Sequence, residues 1–203
     1  LAVGPSQSDP RTGEILRGAA IIPENWVRFF RNQATDVEPR LSAAPTLDFA
    51  QRYLACTYAS DKLEQVAFGH ELLSARGAFD PKGPEAERYI AGSLKDVTMH
   101  EVGHALGLRH NFRASIGVTP QQLRDPAFTA TRGVSNSVMD YNALNMPLRG
   151  ETVADYHMPT LGTYDYWAIE YGYREFDAAD EKAALARLAT QSEKDPALAY
   201  GTD

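Results

Sequence analysis

The sequence predicts an α+β fold: a small N-terminal β-hairpin, a long central helix, and a loop-rich helical C-terminal region. Three observations carry the prediction. Two extended segments flank the turn-forming run Asp9-Pro10-Arg11-Thr12-Gly13; apolar residues then recur at three- and four-residue spacing; and from Asn111 to Thr160 that periodicity gives way to Pro, Gly, Asn and Ser.

Taking the elements in order, Ala2–Gln7 and Glu14–Ile22 read as the two strands of the hairpin, because Asp-Pro and Gly favour a chain reversal between them. Pro23 suits the first turn of a short helix over Glu24–Asn32, where Trp26, Phe29 and Phe30 share a face. Thr46 is placed to cap a helix carrying Phe49, Tyr53 and Cys56, and Asp61 to cap another carrying Leu63, Val66, His70 and Leu73. On these faces Cys56 and His70 read as packing residues. Gly77–Pro84 reads as a loop and Glu85–Leu106 as one long helix. Ile90, Leu94 and Val97 stay in phase with Glu101 and His104, while Met99, Val102 and Leu106 cover the other side, which predicts a central, buried helix. Asn111–Thr160 reads as mostly loop. Thr163–Tyr171, ended by Gly172, and Asp177–Thr190 read as helices, with Trp167 and its neighbouring tyrosines packed in the core.

At 203 residues with 20 basic and 27 acidic side chains, net charge −7, the chain suits one domain spanning residues 1–203, with an N-terminal subdomain over residues 1–107 and a C-terminal subdomain over residues 108–203. The acidic balance, with arginines scattered among acids, argues against nucleic acid as a partner. Cys56 is the single cysteine, so neither an intrachain disulfide nor a CxxC metal site is available. The longest apolar stretch, near Gly18–Ile22, falls far short of the roughly 18 residues of a membrane span. Leu1 in place of Met, followed at once by turn residues, reads as a processing boundary that leaves any targeting peptide out of view.

The chemistry is concentrated in His100-Glu101-Val102-Gly103-His104-Ala105-Leu106-Gly107-Leu108-Arg109-His110. Positions i and i+4 share one helix face, so His100 and His104 can offer two imidazole nitrogens to one Zn²⁺. Glu101 lies beside them as a base for a metal-activated water. Gly107 can end the helix with positive φ and turn the chain so that His110 supplies a third ligand. Three protein ligands leave one position open, as catalytic zinc sites do. A chance match to all five fixed positions has odds on the order of one in a hundred thousand over the chain. A glutamate from a later helix, with Glu170 the nearest, is the alternative third ligand, but it leaves Gly107 and His110 unexplained.

This motif resembles the long zinc motif of the metzincin clan of zinc endopeptidases at every fixed position. Ser137-Val138-Met139-Asp140-Tyr141 resembles the clan's methionine turn, which implies that Met139 forms a hydrophobic floor beneath the imidazoles and that Tyr141 ligates zinc at rest or hydrogen-bonds the oxyanion. A closer resemblance is to a bacterial family of Met-zincin-type zinc-dependent metallopeptidases, mostly large exported proteins of unknown substrate. It is carried by Asp9–Leu16, by the zinc helix running into His110-Asn111-Phe112, by Ser137–Tyr141 and by Trp167–Tyr173. Metzincin domains normally carry further strands and a helix before the edge strand, whereas one hairpin precedes the helices here. The chain is accordingly expected to be a piece of a larger protein with flanking domains, or to have a reduced sheet.

The resemblance thus implies a single metallopeptidase domain that hydrolyses peptide bonds of a peptide or protein substrate, needs Zn²⁺, and works outside the cytoplasm, in the periplasm, secreted or at the cell surface. Its cleft is expected between the subdomains that meet at Gly107, and the hairpin could pair with extended substrate. The alternatives are a non-proteolytic zinc-binding recognition module of the same fold and a hydrolase of a non-peptide amide. Asp9, Asp80 and Asp125, each beside proline, read as turn residues rather than calcium ligands, and His157 as a lone loop histidine that could contact substrate.

Overall fold

A computed structural model describes residues 2–22, 24, 56–151 and 154–202. The helices expected over 24–32 and after Thr46 lie outside the described residues, apart from Glu24 and Cys56. The chain divides into two compact units, Leu1–Gly107 and Leu108–Asp203, each described by itself.

The first unit opens with the expected hairpin, shorter than the sequence suggested. Strands β1 (Ser6–Ser8) and β2 (Ile15–Gly18) pair antiparallel, with Ser6 opposite Gly18 and Gln7 opposite Arg17, and a bulge before Ser8; a single bridge joins Val3 to Ile21. Asp9 closes the turn: its carbonyl accepts from the Gly13 N–H at 2.8 Å and its carboxylate from the Arg11 N–H at 2.8 Å. The adjoining Arg11 guanidinium, 2.8 Å away, holds the Asp9 carboxyl below its ordinary range.

Helix α1 (Tyr58–Ala75) follows. It starts earlier than expected, and Asp61 falls in its first turn, where its carboxylate accepts from the Thr57 hydroxyl at 3.0 Å. Tyr58, Lys62, Val66, His70 and Leu73 form its buried line at helical spacing. Helix α2 (Pro84–Ala105) packs on α1 and takes Pro84 at the first helical position, matching the expected span. The Tyr89 hydroxyl donates to the Val66 carbonyl at 3.0 Å, and the ring of His70 sits 5.5 Å from Phe79 and 6.4 Å from Tyr89. His70 is thus the packing residue the sequence suggested.

Helix α2 is not apolar on both sides. Its buried line is Ala86, Tyr89, Ser93, Asp96, Val97, His100 and Glu101, whereas Val102 and Leu106 are 41% and 40% exposed. Two polar members of that line have internal partners: Ser93 donates to the Ile90 carbonyl at 2.8 Å, and Asp96 meets Lys62 of α1 at 2.8 Å with both side chains fully buried. No described helix is long and apolar enough to cross a membrane.

The second unit is loop-rich, as expected, but contains a helix that the sequence reading treats as loop. Helix α3 (Pro126–Arg132) is capped by Asp125, whose carboxylate accepts from the Ala127 N–H at 2.9 Å. Helix α4 (Thr163–Tyr173) continues through Gly172, so that glycine is not its end; α5 (Glu181–Gln191) overlaps most of the expected span. Trp167 of α4 donates to the Leu188 carbonyl of α5 at 2.9 Å, and Tyr164 packs on Trp167 and Tyr200 at 5.5 and 6.0 Å. Burial pushes the Tyr164 phenol up to about 12. Ala114, Val138, Met139 and Met158 complete the core of this unit.

Candidate metal centre

One helical turn of α2 brings His100 and His104 onto the same face, and their rings lie 4.7 Å apart, edge to face. His100 is fully buried and its ring packs 4.5 Å from that of Tyr58, which fixes the imidazole from the α1 side. Glu101, the next residue, is also fully buried, and neither carboxylate oxygen has a hydrogen-bond partner among the described residues. Burial therefore pushes its carboxyl up to about 7.

The structure adds a side chain to this pair. Cys56 lies just before α1, and its Sγ sits 3.3 Å from Nε2 of His100. One ligand atom from each of Cys56, His100 and His104 lies within 4.8 Å of the others. This corrects the reading of Cys56 as a packing residue: its sulfur faces a histidine that the sequence already marks as a ligand. Nothing local signals it, because 44 residues separate the two.

The donor set fits Zn²⁺. Imidazole and thiolate are its preferred protein ligands, and a carboxylate buried without a partner among the described residues suits a group whose partner is a bound species. Gly107 behaves as anticipated. With φ +86° it turns the chain out of α2, its N–H donating to the His104 carbonyl at 2.9 Å.

In the second unit, His110 stacks on Phe112 at 5.3 Å and meets the ring of Tyr141 edge to face at 4.9 Å. Phe112 and Tyr141 meet at 5.1 Å, closing a three-ring cluster. The neighbouring Asn111, fully buried, ties this cluster to two distant segments. Its backbone N–H donates to the Met139 carbonyl at 2.9 Å, and its side chain donates to the Ala199 carbonyl at 2.9 Å and accepts from the Gly201 N–H at 3.1 Å. His110, Met139 and Tyr141 are therefore brought together in one small region of this unit. Met139 is fully buried and turned inward within Ser137–Tyr141.

What holds that turn is Asp165, which sequence reasoning missed. This residue, on the first turn of α4 and 2% exposed, accepts from the Ser137 hydroxyl at 2.6 Å, the Val138 N–H at 2.9 Å and the Gly162 N–H at 2.8 Å. The Ser137 oxygen in turn accepts from the Met139 N–H at 2.9 Å. Burial raises the Asp165 carboxyl, against the three donors that lower it. Gly162 is required by close approach, since a Cβ there would lie 2.1 Å from the Asn136 backbone. The signal was available: Gly162-Thr163-Tyr164-Asp165 places an acid at the third helical position, where it reaches back to the helix start.

The remaining candidates have local roles. Glu170, the alternative third ligand, pairs with Arg174 just past the end of α4. Asp9, Asp80 and Asp125 each accept from a backbone N–H two residues on, as turn residues do. His157 is buried, at 4% exposure, rather than presented on a surface loop.

A family model described as Met-zincin matches residues 82–203, more than half of the chain, covering α2 and the whole second unit. No curated protein and no solved structure gives a match.

Proposed function

The chain belongs to the Met-zincin family, and from that premise we propose that it is a zinc-dependent endopeptidase with His100, His104 and His110 as metal ligands and Glu101 as general base. The observation that carries the proposal is the pair of imidazoles one helical turn apart, next to a carboxylate that is fully buried and has no partner among the described residues. Support for His110 comes from the family's motif and from Gly107, whose positive φ redirects the chain three residues before it.

Zinc, when bound, supplies Lewis acidity to a substrate carbonyl and lowers the pKa of a water to around 7. Glu101 would take the proton of the attacking water on its carboxylate and pass it to the leaving amine. That carboxylate, fully buried and with no hydrogen-bond partner among the described residues, is left to interact with a bound species. Tyr141 is held against His110, from where the family resemblance supports a role for its hydroxyl as ligand at rest or donor to the oxyanion. Met139 supports the ligands through the Asn111 hydrogen bond beside His110. An extracytoplasmic location belongs to the same proposal and is checked by fractionating cells that make the native protein.

Glu101→Gln is the test. Glutamine keeps the size but cannot accept the proton, so zinc content and fold survive while hydrolysis of a peptide library falls by at least about 10²-fold. Equal cleavage by the variant refutes the base assignment, and a wild type that binds zinc yet cleaves nothing refutes the endopeptidase.

A further inference from the structure

We infer that Tyr58 is a positioning residue for the metal ligand His100, and that the buried Lys62–Asp96 pair holds Tyr58 where that task requires it. The inference rests on the metal site proposed above and extends it to helix α1, which lies ahead of the residues that match the family.

The side chains concerned form one layer between two helices. Tyr58 and Lys62 stand one turn apart on α1, Asp96 and His100 stand one turn apart on α2, and each of them is at most 1% exposed. The Lys62 ammonium meets the Asp96 carboxylate at 2.8 Å and lies over the Tyr58 ring, 5.6 Å from its centre. That ring in turn lies 4.5 Å from the imidazole of His100, tilted by 34°. His100 thus touches two rings, Tyr58 from α1 and its fellow ligand His104, edge to face at 4.7 Å.

Two arguments give the layer its task. A buried ion pair gains little net stability over apolar side chains of the same size, because desolvation of both charges offsets their attraction. An apolar pair would hold α1 against α2 as well, but the charged pair also fixes a direction: Lys62 must reach Asp96, and its cation attracts the negative face of the Tyr58 ring. The second argument concerns the ligand. An imidazole binds a metal through a nitrogen in the plane of its ring, so the ring must be oriented, and groups outside the ligand set commonly do this. Tyr58 supplies that support from α1. Metal binding and the docking of α1 are thereby coupled, and the coupling is reciprocal: a well-placed Tyr58 tightens the metal, and the metal tightens α1 on α2.

The experiment compares the wild-type chain with Tyr58→Leu, Tyr58→Phe and the double variant Lys62→Met with Asp96→Leu. Zinc affinity is read by competition with a chromophoric chelator, the ligand field by the visible absorption of the Co²⁺ forms, and the stability of each metal-free chain by urea unfolding. Tyr58→Leu should lose about 10- to 100-fold in zinc affinity and change the Co²⁺ spectrum, while Tyr58→Phe, which keeps the ring, restores both. The double variant is the sharper case, because its metal-free chain should keep most of the wild-type stability, and it decides the matter if Tyr58→Leu does not fold. It should nevertheless bind zinc about 10-fold more weakly, which the loss of a merely structural pair would not cause. Wild-type affinity in folded Tyr58→Leu, or a Tyr58→Phe chain as weak as Tyr58→Leu, overturns the role of Tyr58. Wild-type affinity with an unchanged Co²⁺ spectrum in the double variant overturns that of the pair. Those outcomes leave the histidine site standing, whereas a wild type that binds no zinc, or binds it equally well after His104→Ala, overturns the site itself and the inference with it.

Discussion

Removing the Asp165 carboxylate should unfasten the methionine turn. Asp165→Ala leaves the Ser137 hydroxyl and the Val138 and Gly162 amides without their acceptor, in a place where Asp165 is only 2% exposed. A buried donor left unpaired costs about 1–3 kcal/mol, and the hydroxyl can turn, so the two amides set a loss of about 2–6 kcal/mol. That is a large share of the roughly 5–15 kcal/mol that holds a typical domain. Asp165→Asn is the informative control. Burial raises the Asp165 carboxyl above 3.8, so the folded chain holds that proton more tightly than the unfolded one. The stability this group contributes is therefore complete at low pH and declines as pH rises from 3.8 through the raised folded value. Asparagine has the shape of the protonated acid: its carbonyl accepts from both amides and its NH₂ donates to Ser137. It should cost under about 1 kcal/mol at neutral pH and flatten that part of the pH dependence. Urea unfolding followed by circular dichroism reads both effects as midpoint shifts at constant m. An alanine variant within about 1 kcal/mol of wild type, or an asparagine variant as damaged as the alanine one, refutes the role given to this carboxylate.

Two further predictions concern the core around the site. Lys62→Met leaves the fully buried Asp96 carboxyl without its ammonium partner, so it should destabilise by about 3–5 kcal/mol, while Lys62→Met with Asp96→Leu should recover most of the loss. A single variant with an unchanged urea midpoint shows that the pair carries no such weight. Met139→Leu roughly conserves volume at a fully buried position and should cost under about 1.5 kcal/mol with metal content unchanged. Loss of zinc on that substitution, read by elemental analysis, contradicts a purely supporting role for the side chain.

The features legible in the sequence were those whose cause is local. Helix α2 follows from Pro84 at one end, Gly107 at the other and helical spacing between, and the same spacing sets His100 against His104. The hairpin follows from one turn, Asp9 to Gly13. Helix α3 escaped because seven residues give too little periodicity to see, although Asp125-Pro126 is a helix start as much as a turn. The buried face of α2 was harder for another reason. The burial of Asp96 depends on Lys62, on another helix, and hydropathy along one helix carries no trace of that partner.

Met139 and Cys56 show how far such reading reaches. Each is far from the zinc motif in sequence, and neither residue type is informative alone. Met139 stands out in the sequence because Ser137–Tyr141 resembles the clan's methionine turn, within the stretch that the family covers. Cys56 precedes that stretch, in a region of the chain that offers no motif to read. Its relation to His100 exists only once α1 and α2 pack and carry its sulfur across 44 residues of sequence. Residues inside a chemical motif point to the chemistry, whereas a residue that the fold brings to them from outside needs no fixed spacing and becomes visible only in the fold.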